Sequence, residues 1–269
     1  MSWQEYFTCN TETFNGKTFK YYRYKDKSGI TLPADLPMPP TDNFIGLFMR
    51  CEQLQNINAL ANWDVSNVKN ISNLFCDCHS LQDITALSDW NTSNVTDMGG
   101  MFYQCYQLED ITALTNWNIS SVNNLSCMFC RCSQLQNINA LANWDVSSVE
   151  DISGMFDGCE WLQDITSLAN WNVSNAETIS GMFWSCIRLK DISALARWNV
   201  SNIKHMQCTF CNCYSLQDIS ALSNWDVSNV INMNWLFSGC ELLRDITALI
   251  NWNIPNIKCL FAELSDNYE

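Results

Sequence analysis

The sequence predicts a β-rich repeat solenoid of about eight 27-residue coils with an N-terminal cap. Apolar residues recur at every third position through most of each unit, a period that fits neither an α-helix nor a long strand and suits short segments joined by bends. A tryptophan and a cysteine each return every 27 residues. These positions are Trp63, Trp90, Trp117, Trp144, Trp171, Trp198, Trp225 and Trp252, and Cys51, Cys78, Cys105, Cys132, Cys159, Cys186, Cys213 and Cys240.

Residues 1–47 lack the repeat and are predicted to form the N-terminal cap. Asn15-Gly16 lies between β-forming residues, which is a hairpin signal. A terminal coil exposes an apolar end face, so we expect the aromatic residues of the cap to cover it.

Residues 48–261 are predicted to form the solenoid, because each unit can bury its apolar face only against its neighbours. Short parallel strands are expected around the Leu-x-Asp-Ile and Val-x-x-Ile segments, and a tight helical or 3₁₀ turn at Met-Phe-x-x-Cys. Pro255 cannot donate to a further hydrogen-bond ladder, so the stack is expected to end there. Residues 262–269 are predicted to be an acidic C-terminal tail.

The spacing of the fifteen cysteines does not indicate a disulfide-bonded scaffold. Eight share one repeat position and should form a column with rungs about 4.8 Å apart. A disulfide prefers Cβ atoms about 3.5–4.5 Å apart. We therefore expect a ladder of free, buried thiols, which fits a reducing compartment.

The net charge of −14 argues against a nucleic-acid partner and against an anionic membrane surface. No apolar run is long enough for a signal peptide or a membrane span, so membrane insertion is not expected. As written, the chain is expected to stay in an intracellular, reducing compartment, cytoplasmic or virus-associated, and not to be secreted.

The repeat unit resembles the BspA-like leucine-rich repeat surface-protein family. The matching segments are Leu81-Gln82-Asp83-Ile84-Thr85-Ala86-Leu87, Asn224-Trp225-Asp226-Val227-Ser228-Asn229-Val230, and the Phe-Ser-Gly-Cys of Phe237 to Cys240. The family pattern is W/F-D-T/V-S-N-V-T-x-M-x-x-M-F-x-x-C-x-x-L, and the resemblance covers roughly residues 45–261. It implies a right-handed leucine-rich-repeat solenoid used in adhesion or protein recognition, without catalytic residues, in a family found in bacteria, mycoplasmas, anaerobic protists and large DNA viruses.

Candidate chemistry is sparse, and no enzyme activity, cofactor or metal site is predicted. Two Cys-x-x-Cys-x-Cys runs lack the second ligand pair that zinc normally requires, at Cys127, Cys130 and Cys132 and at Cys208, Cys211 and Cys213. An acidic row precedes the repeat isoleucine in six coils, at Asp83, Asp110, Asp164, Asp191, Asp218 and Asp245. This row is either a cation-binding strip or a set of carboxylates that accept backbone N–H bonds at a bend.

Large aromatic residues at variable positions near the Phe-x-x-Cys turn are the best candidates for a partner-binding surface. They are Tyr103, Tyr106, Trp161, Trp184, Tyr214 and Trp235. The predicted function is a non-catalytic protein-recognition scaffold with a protein partner. The alternative is a structural or assembly protein that self-associates, for example in a virion or matrix.

Overall fold

The computed structural model describes residues 2–14, 17–252, 254 and 257–262, with the side chains of residues 12–14 and 17–19 left aside. Strands β1 (Phe7–Phe14) and β2 (Lys17–Tyr24) pair antiparallel, with Phe7 opposite Tyr24. The Asn15-Gly16 turn that predicts this hairpin lies outside the described residues. Pro255 and most of the acidic tail also lie outside them, so the expected end of the stack stays a prediction.

Short 3₁₀ helices are the only helices in the described part of the chain, and nine of the ten lie after the hairpin. The first, η1 (Trp3–Glu5), precedes β1. The others are η2 (Asn58–Asn62), η3 (Thr85–Leu87), η4 (Thr112–Leu114), η5 (Asn139–Leu141), η6 (Thr166–Leu168), η7 (Ser193–Arg197), η8 (Ser220–Leu222), η9 (Thr247–Leu249) and η10 (Ile257–Leu260). No helix in the described ranges is both long and apolar enough to cross a membrane.

The 3₁₀ helices η2 to η9 follow the repeat isoleucine and not the Phe-x-x-Cys segment. At Asp164, the carboxylate accepts the backbone N–H of Thr166 at 2.8 Å, which satisfies a donor at the start of η6. The Phe-x-x-Cys segment forms consecutive turns instead, with Cys159 N–H donating to Phe156 O at 3.0 Å. A left-handed residue inside this segment interrupts any helix, so the expectation of a tight turn is right there and that of a 3₁₀ helix is wrong.

The expected short parallel strands are reduced to single-residue bridges. One column of bridges joins equivalent residues of successive coils, at Asn43, Asn70, Asp97, Asn124, Asp151, Thr178, His205 and Asn232. From Asn70 on, each of these residues precedes a repeat Ile, Met or Leu. The Leu-x-Asp-Ile segments carry the Thr31–Asn56 and Asn137–Asp164 bridges. Strands do not extend further because the chain bends within a few residues on either side.

Backbone hydrogen bonds join successive coils in a ladder on the Phe side. Gly154, Phe156 and Gly158 donate to the carbonyls of Ser180, Met182 and Trp184, at 2.8, 2.9 and 2.7 Å. Each donor bonds to the residue 26 positions later, and the same relation recurs from Phe44 to Asn212. At the last coil the spacing is shorter, because Trp235 and Phe237 donate to Cys259 and Leu260. The ladder satisfies buried backbone groups that no regular strand would otherwise pair.

Stacked columns of buried side chains fill the core, and three of them are columns of phenylalanine, tryptophan and cysteine. Phe rings stack nearly parallel with centroids 5.6–6.0 Å apart from Phe48 to Phe237. Three stacked tryptophan pairs have centroids 6.3–6.4 Å apart. The third column holds the repeat cysteines.

The repeat cysteines and tryptophans also form hydrogen bonds between coils. Cys159 Sγ donates to the carbonyl of Phe129 at 3.2 Å, and the Trp171 indole donates to the carbonyl of Leu141 at 3.0 Å. Equivalent bonds recur at the other cysteines from Cys78 to Cys240 and at the tryptophans from Trp90 to Trp252. All fifteen cysteines are free, in agreement with the sequence-based expectation.

The hairpin packs on the first coil. Phe7 and Tyr24 contact the Phe48 ring, with centroids 6.2 and 5.5 Å away, and Phe7 also contacts Trp63. Tyr24 N–H donates to Leu47 O at 2.8 Å. The hairpin is therefore part of the same apolar core as the coils.

Two positions in each coil have a left-handed backbone. The first is Gly46, Asn73, Gly100, Cys127, Gly154, Gly181, Cys208 and Trp235; the second is Arg50, Asp77, Gln104, Arg131, Gly158, Ser185, Asn212 and Gly239. A non-glycine residue in this conformation costs about 1–2 kcal/mol. The sharp turns around each Phe are therefore set by backbone geometry that only some residue types adopt easily.

Gly158→Ala is expected to destabilise the protein more than Gly181→Ala. At Gly181, an added Cβ would meet only the Trp184 ring at 3.8 Å, so the expected loss is the backbone term of about 1–2 kcal/mol. At Gly158, the Cβ would lie 3.1 and 3.3 Å from Arg131 Cγ and Cα, which adds a steric cost. Urea unfolding of both variants measures the difference, and equal losses would contradict the steric argument.

Candidate functional site

The six aromatic candidates do not form one continuous row. Tyr103 and Trp184 occupy the position after the repeat Phe, whereas Tyr106 and Tyr214 occupy the position after the repeat Cys. Tyr214 is 43% exposed and the other five are half-buried. Their different positions in the unit place them on different columns of the surface.

Tyr106 and Trp184 line one open groove on the Phe–Cys turn side, with a volume of about 630 Å³. Its other lining residues are Arg131, Ser133, Asp157, Gly158, Glu160, Ser185 and Asn212. Tyr103 lines a smaller depression of about 390 Å³. Trp161, Tyr214 and Trp235 line neither of these two cavities, and the Trp161 ring lies 3.4 Å from the guanidinium carbon of Arg188.

Backbone hydrogen bonds hold Trp184 in place at the groove. Its N–H donates to Gly181 O at 3.0 Å, and its carbonyl accepts from Gly158 N–H at 2.7 Å. The left-handed Gly181 and Ser185 turn the chain on either side, so the ring projects from the turn while Phe183 enters the core. The backbone that carries this ring is therefore ordered before a partner binds, which lowers the entropy cost of binding.

Tyr106 stands at the other end of the groove, beside His79. The two ring centroids are 4.8 Å apart and the ring planes are tilted by 31°. The Nε2 atom of His79 is buried and has no hydrogen-bond partner among the residues that the structure describes. The tyrosine is therefore supported by a ring contact from the preceding coil.

Opposite charges lie between the two aromatic residues. Arg131 is exposed, and burial raises the pKa of the Asp157 carboxyl to about 6, against smaller lowering effects of Cys130 and Arg131. Glu160 is exposed at the groove edge. A guanidinium and a fixed indole can bind a carboxylate and an apolar side chain of a peptide, while the acidic groups can accept peptide N–H bonds.

Sequence reasoning missed Asp157 and Glu160 as groove residues. Both stand at the variable positions that carry the aromatic candidates in other coils, Asp157 at the position of Trp184 and Glu160 at that of Tyr106. Treating every variable position beside the turn as surface, whatever its residue type, would have identified them.

The acidic row serves the 3₁₀ helices. Each of its carboxylates accepts the backbone N–H two residues later, at 2.7–2.9 Å. Hydrogen bonds from Thr85 lower the pKa of Asp83, and those from Thr166 lower the pKa of Asp164. Within the described ranges, no group of three or more His, Cys, Asp or Glu side chains is arranged to hold a metal ion. Cation binding by the row stays an untested alternative.

The sequence matches the family model described as Mycoplasma protein of unknown function, DUF285, in four overlapping segments, at residues 42–160, 108–221, 132–247 and 189–266. The tandem matches agree with the 27-residue period and cover most of the chain. No curated protein and no solved structure is significantly similar to it.

Proposed function

From the premise that this chain belongs to the family described as Mycoplasma protein of unknown function, DUF285, as a tandem repeat protein, we propose that it is a non-catalytic scaffold that recognises a protein partner. The groove between Tyr106 and Trp184 is the proposed binding surface, and an extended peptide segment of the partner is the proposed ligand. The observation that carries the proposal is the presence of two supported aromatic rings and the Arg131 guanidinium in one open groove.

We also propose a fold assignment for the whole chain. We place the chain among right-handed, leucine-rich-repeat-like solenoids of the BspA-like type, with about eight coils and residues 1–47 as the cap. The eight tryptophans at constant spacing and the contacts of Phe7 and Tyr24 with the first coil support this assignment. Solenoids of this kind present a long rigid face to their ligands.

Trp184→Ser is expected to weaken peptide binding by about 30-fold, the equivalent of about 2 kcal/mol for an aromatic anchor. Peptides are first selected from a random linear display library against the wild-type chain, and their dissociation constants are then measured by fluorescence anisotropy. The melting temperature is expected to stay within the range of an ordinary surface substitution, because the ring is half-buried and outside the Phe column.

Tyr214→Ser is the matched control, since Tyr214 is an exposed aromatic residue that does not line the groove. It is expected to leave the affinity of the selected peptides unchanged. The proposal fails if no peptide is enriched, or if the selected peptides bind the Trp184→Ser variant as tightly as the wild type.

Self-association is the second candidate function, and apolar residues at the C-terminal end of the stack favour it. Ile231 and Ile250 are 76% and 82% exposed. Ile246 is 38% exposed, whereas Ile219, its equivalent one coil earlier, is 1% exposed. Light scattering over a hundredfold concentration range tests this candidate, and a constant mass of one chain would exclude it.

A further inference from the structure

Two Cys-x-x-Cys pairs occupy strained positions of the repeat. Cysteine stands at the first left-handed position twice, at Cys127 (φ 54°) and Cys208 (φ 57°), where four other coils have glycine. In both coils the residue three positions later is also a cysteine, Cys130 or Cys211. Cysteine therefore occupies this unfavourable backbone position only as half of a pair, which indicates a role for the two thiols together.

The turn geometry brings the paired thiols together. Cys130 N–H donates to Cys127 O at 3.0 Å, and a turn closed by this bond keeps its end Cα atoms within about 7 Å. A disulfide spans Cα atoms about 4.4–6.8 Å apart. The Cys130 side chain is also near enough to Cys127 to lower the pKa of the Cys127 thiol. Cys132 belongs to the core column and donates instead to Phe102 O.

The two thiols differ in access and in partners. Cys127 is half-buried and lines the open depression of about 390 Å³, whereas Cys130 is 3% exposed. Cys130 Sγ lies 3.5 Å from Asp157 Oδ2. The Cys130 hydrogen bond lowers the pKa of Cys127, and that hydrogen bond and burial raise the pKa of Cys130. The accessible thiol is thus the one favoured as a thiolate, and the buried thiol has a carboxylate next to it.

We propose that Cys127 and Cys130 form a thiol–disulfide exchange site for low-molecular-weight disulfides, with Cys127 as the nucleophile and Asp157 as the proton acceptor for Cys130. The Cys127 thiolate attacks one sulfur of the substrate, the substrate S–S bond breaks, and one thiolate leaves. Cys130 transfers its proton to Asp157 and attacks the Cys127 sulfur, which expels the second thiolate, and this thiolate takes up the proton. The thiolate–thiol pair is oxidised by two electrons to a disulfide, and the substrate disulfide is reduced to one thiolate and one thiol.

The second pair provides an internal comparison. Cys208 and Cys211 have the same turn, closed by a Cys211 N–H bond to Cys208 O at 3.0 Å. Ser238 stands where the first pair has Asp157. A hydroxyl accepts a proton far less readily than a carboxylate, so the second pair is expected to close into a disulfide more slowly.

The test treats the full chain with oxidised glutathione, stops the reaction with acid, and maps the modified cysteines by mass spectrometry. We expect the Cys127–Cys130 disulfide to form at least tenfold faster than the Cys208–Cys211 disulfide. The exposed Cys9 is expected to give only a glutathione adduct. Asp157→Asn is expected to slow closure of the first pair by about tenfold or more, within the usual size of general-base effects.

Two variants keep the test decisive. Cys130→Ser removes the resolving thiol and is expected to accumulate one glutathione on Cys127. Cys127→Gly relieves the left-handed backbone, so it is expected to keep or raise the melting temperature while abolishing the reaction at this turn. The inference is overturned if Cys127 stays unmodified in the Cys130→Ser variant, or if the first pair reacts no faster than buried column thiols such as Cys159. It does not depend on the proposed recognition function.

Discussion

Replacing Phe156 with alanine is expected to lower the free energy of unfolding by about 3–5 kcal/mol, the usual loss for a large-to-small change in a packed core. Phe156 is fully buried, and its ring lies between those of Phe129 and Phe183, with centroids 6.0 and 5.8 Å away. The rigid ladder of backbone bonds on both sides leaves the cavity little room to collapse. Urea unfolding followed by tryptophan fluorescence measures the loss.

The same substitution is also expected to reduce cooperativity. In a repeat array each coil contacts only its neighbours, so a weakened interface in the middle divides the stack into halves that unfold separately. A second transition or a smaller dependence on urea would show this division. Phe261→Ala is the control, because Phe261 is 37% exposed next to the last described coil. A loss at Phe156 as small as the loss at Phe261 would contradict a core that depends on the Phe column.

Asp157→Asn is expected to stabilise the protein at pH 7.5 and to have little effect at pH 4. Burial raises the pKa of Asp157 from its ordinary value of 3.8 to about 6, so the folded state holds the proton more tightly than the unfolded state does. The stability from this group is fully present below about pH 4 and is lost as the pH rises through 6. The neutral amide removes the penalty of a buried carboxylate, on the order of 2–3 kcal/mol.

Three carboxylates of the acidic row, Asp83, Asp164 and Asp245, have the opposite dependence. Backbone and side-chain hydrogen bonds from Thr247 lower the pKa of Asp245, as those from Thr85 and Thr166 do at Asp83 and Asp164. The stability that these groups contribute is present above pH 4 and lost as the pH falls through their folded-state pKa values. Thermal unfolding of the wild type and of Asp157→Asn from pH 2 to pH 8 separates the two effects, because the acidic row acts below about pH 4 and Asp157 acts around pH 6. A constant difference between the two proteins across this range would mean that Asp157 does not titrate as argued.

The sequence period predicted the buried columns because a constant spacing of 27 residues places equivalent side chains above one another. It did not predict how far each segment stays straight. The expected strands are reduced to single-residue bridges. The 3₁₀ helices begin directly after the acidic row, because a side-chain oxygen such as that of Asp164 can accept the backbone N–H of Thr166. Such side-chain-to-backbone hydrogen bonds compete with strand pairing, and the spacing of apolar residues does not reveal them.

The groove could be predicted only in part. The variable positions of Tyr106 and Trp184 in the repeat predicted that both are surface residues. That both line one groove depends on how their two different columns are placed side by side over several coils. The burial of Asp157 and its contact with Cys130 are also consequences of stacking. Residues 27 positions apart can be paired from the sequence, whereas a contact between different columns requires the path of the chain through each bend.

The ladder of backbone bonds has a consequence for how such a chain changes over generations. Every bond between Gly154, Phe156 or Gly158 and the next coil joins positions 26 residues apart, and the same relation holds along most of the stack. An in-frame deletion or duplication of one whole unit by recombination between repeats therefore rejoins compatible coils and preserves the ladder. The surface is different after the event, because residues such as Trp184 acquire new neighbours. Recombination of this kind alters the binding face in one step, without passing through a chain that cannot fold.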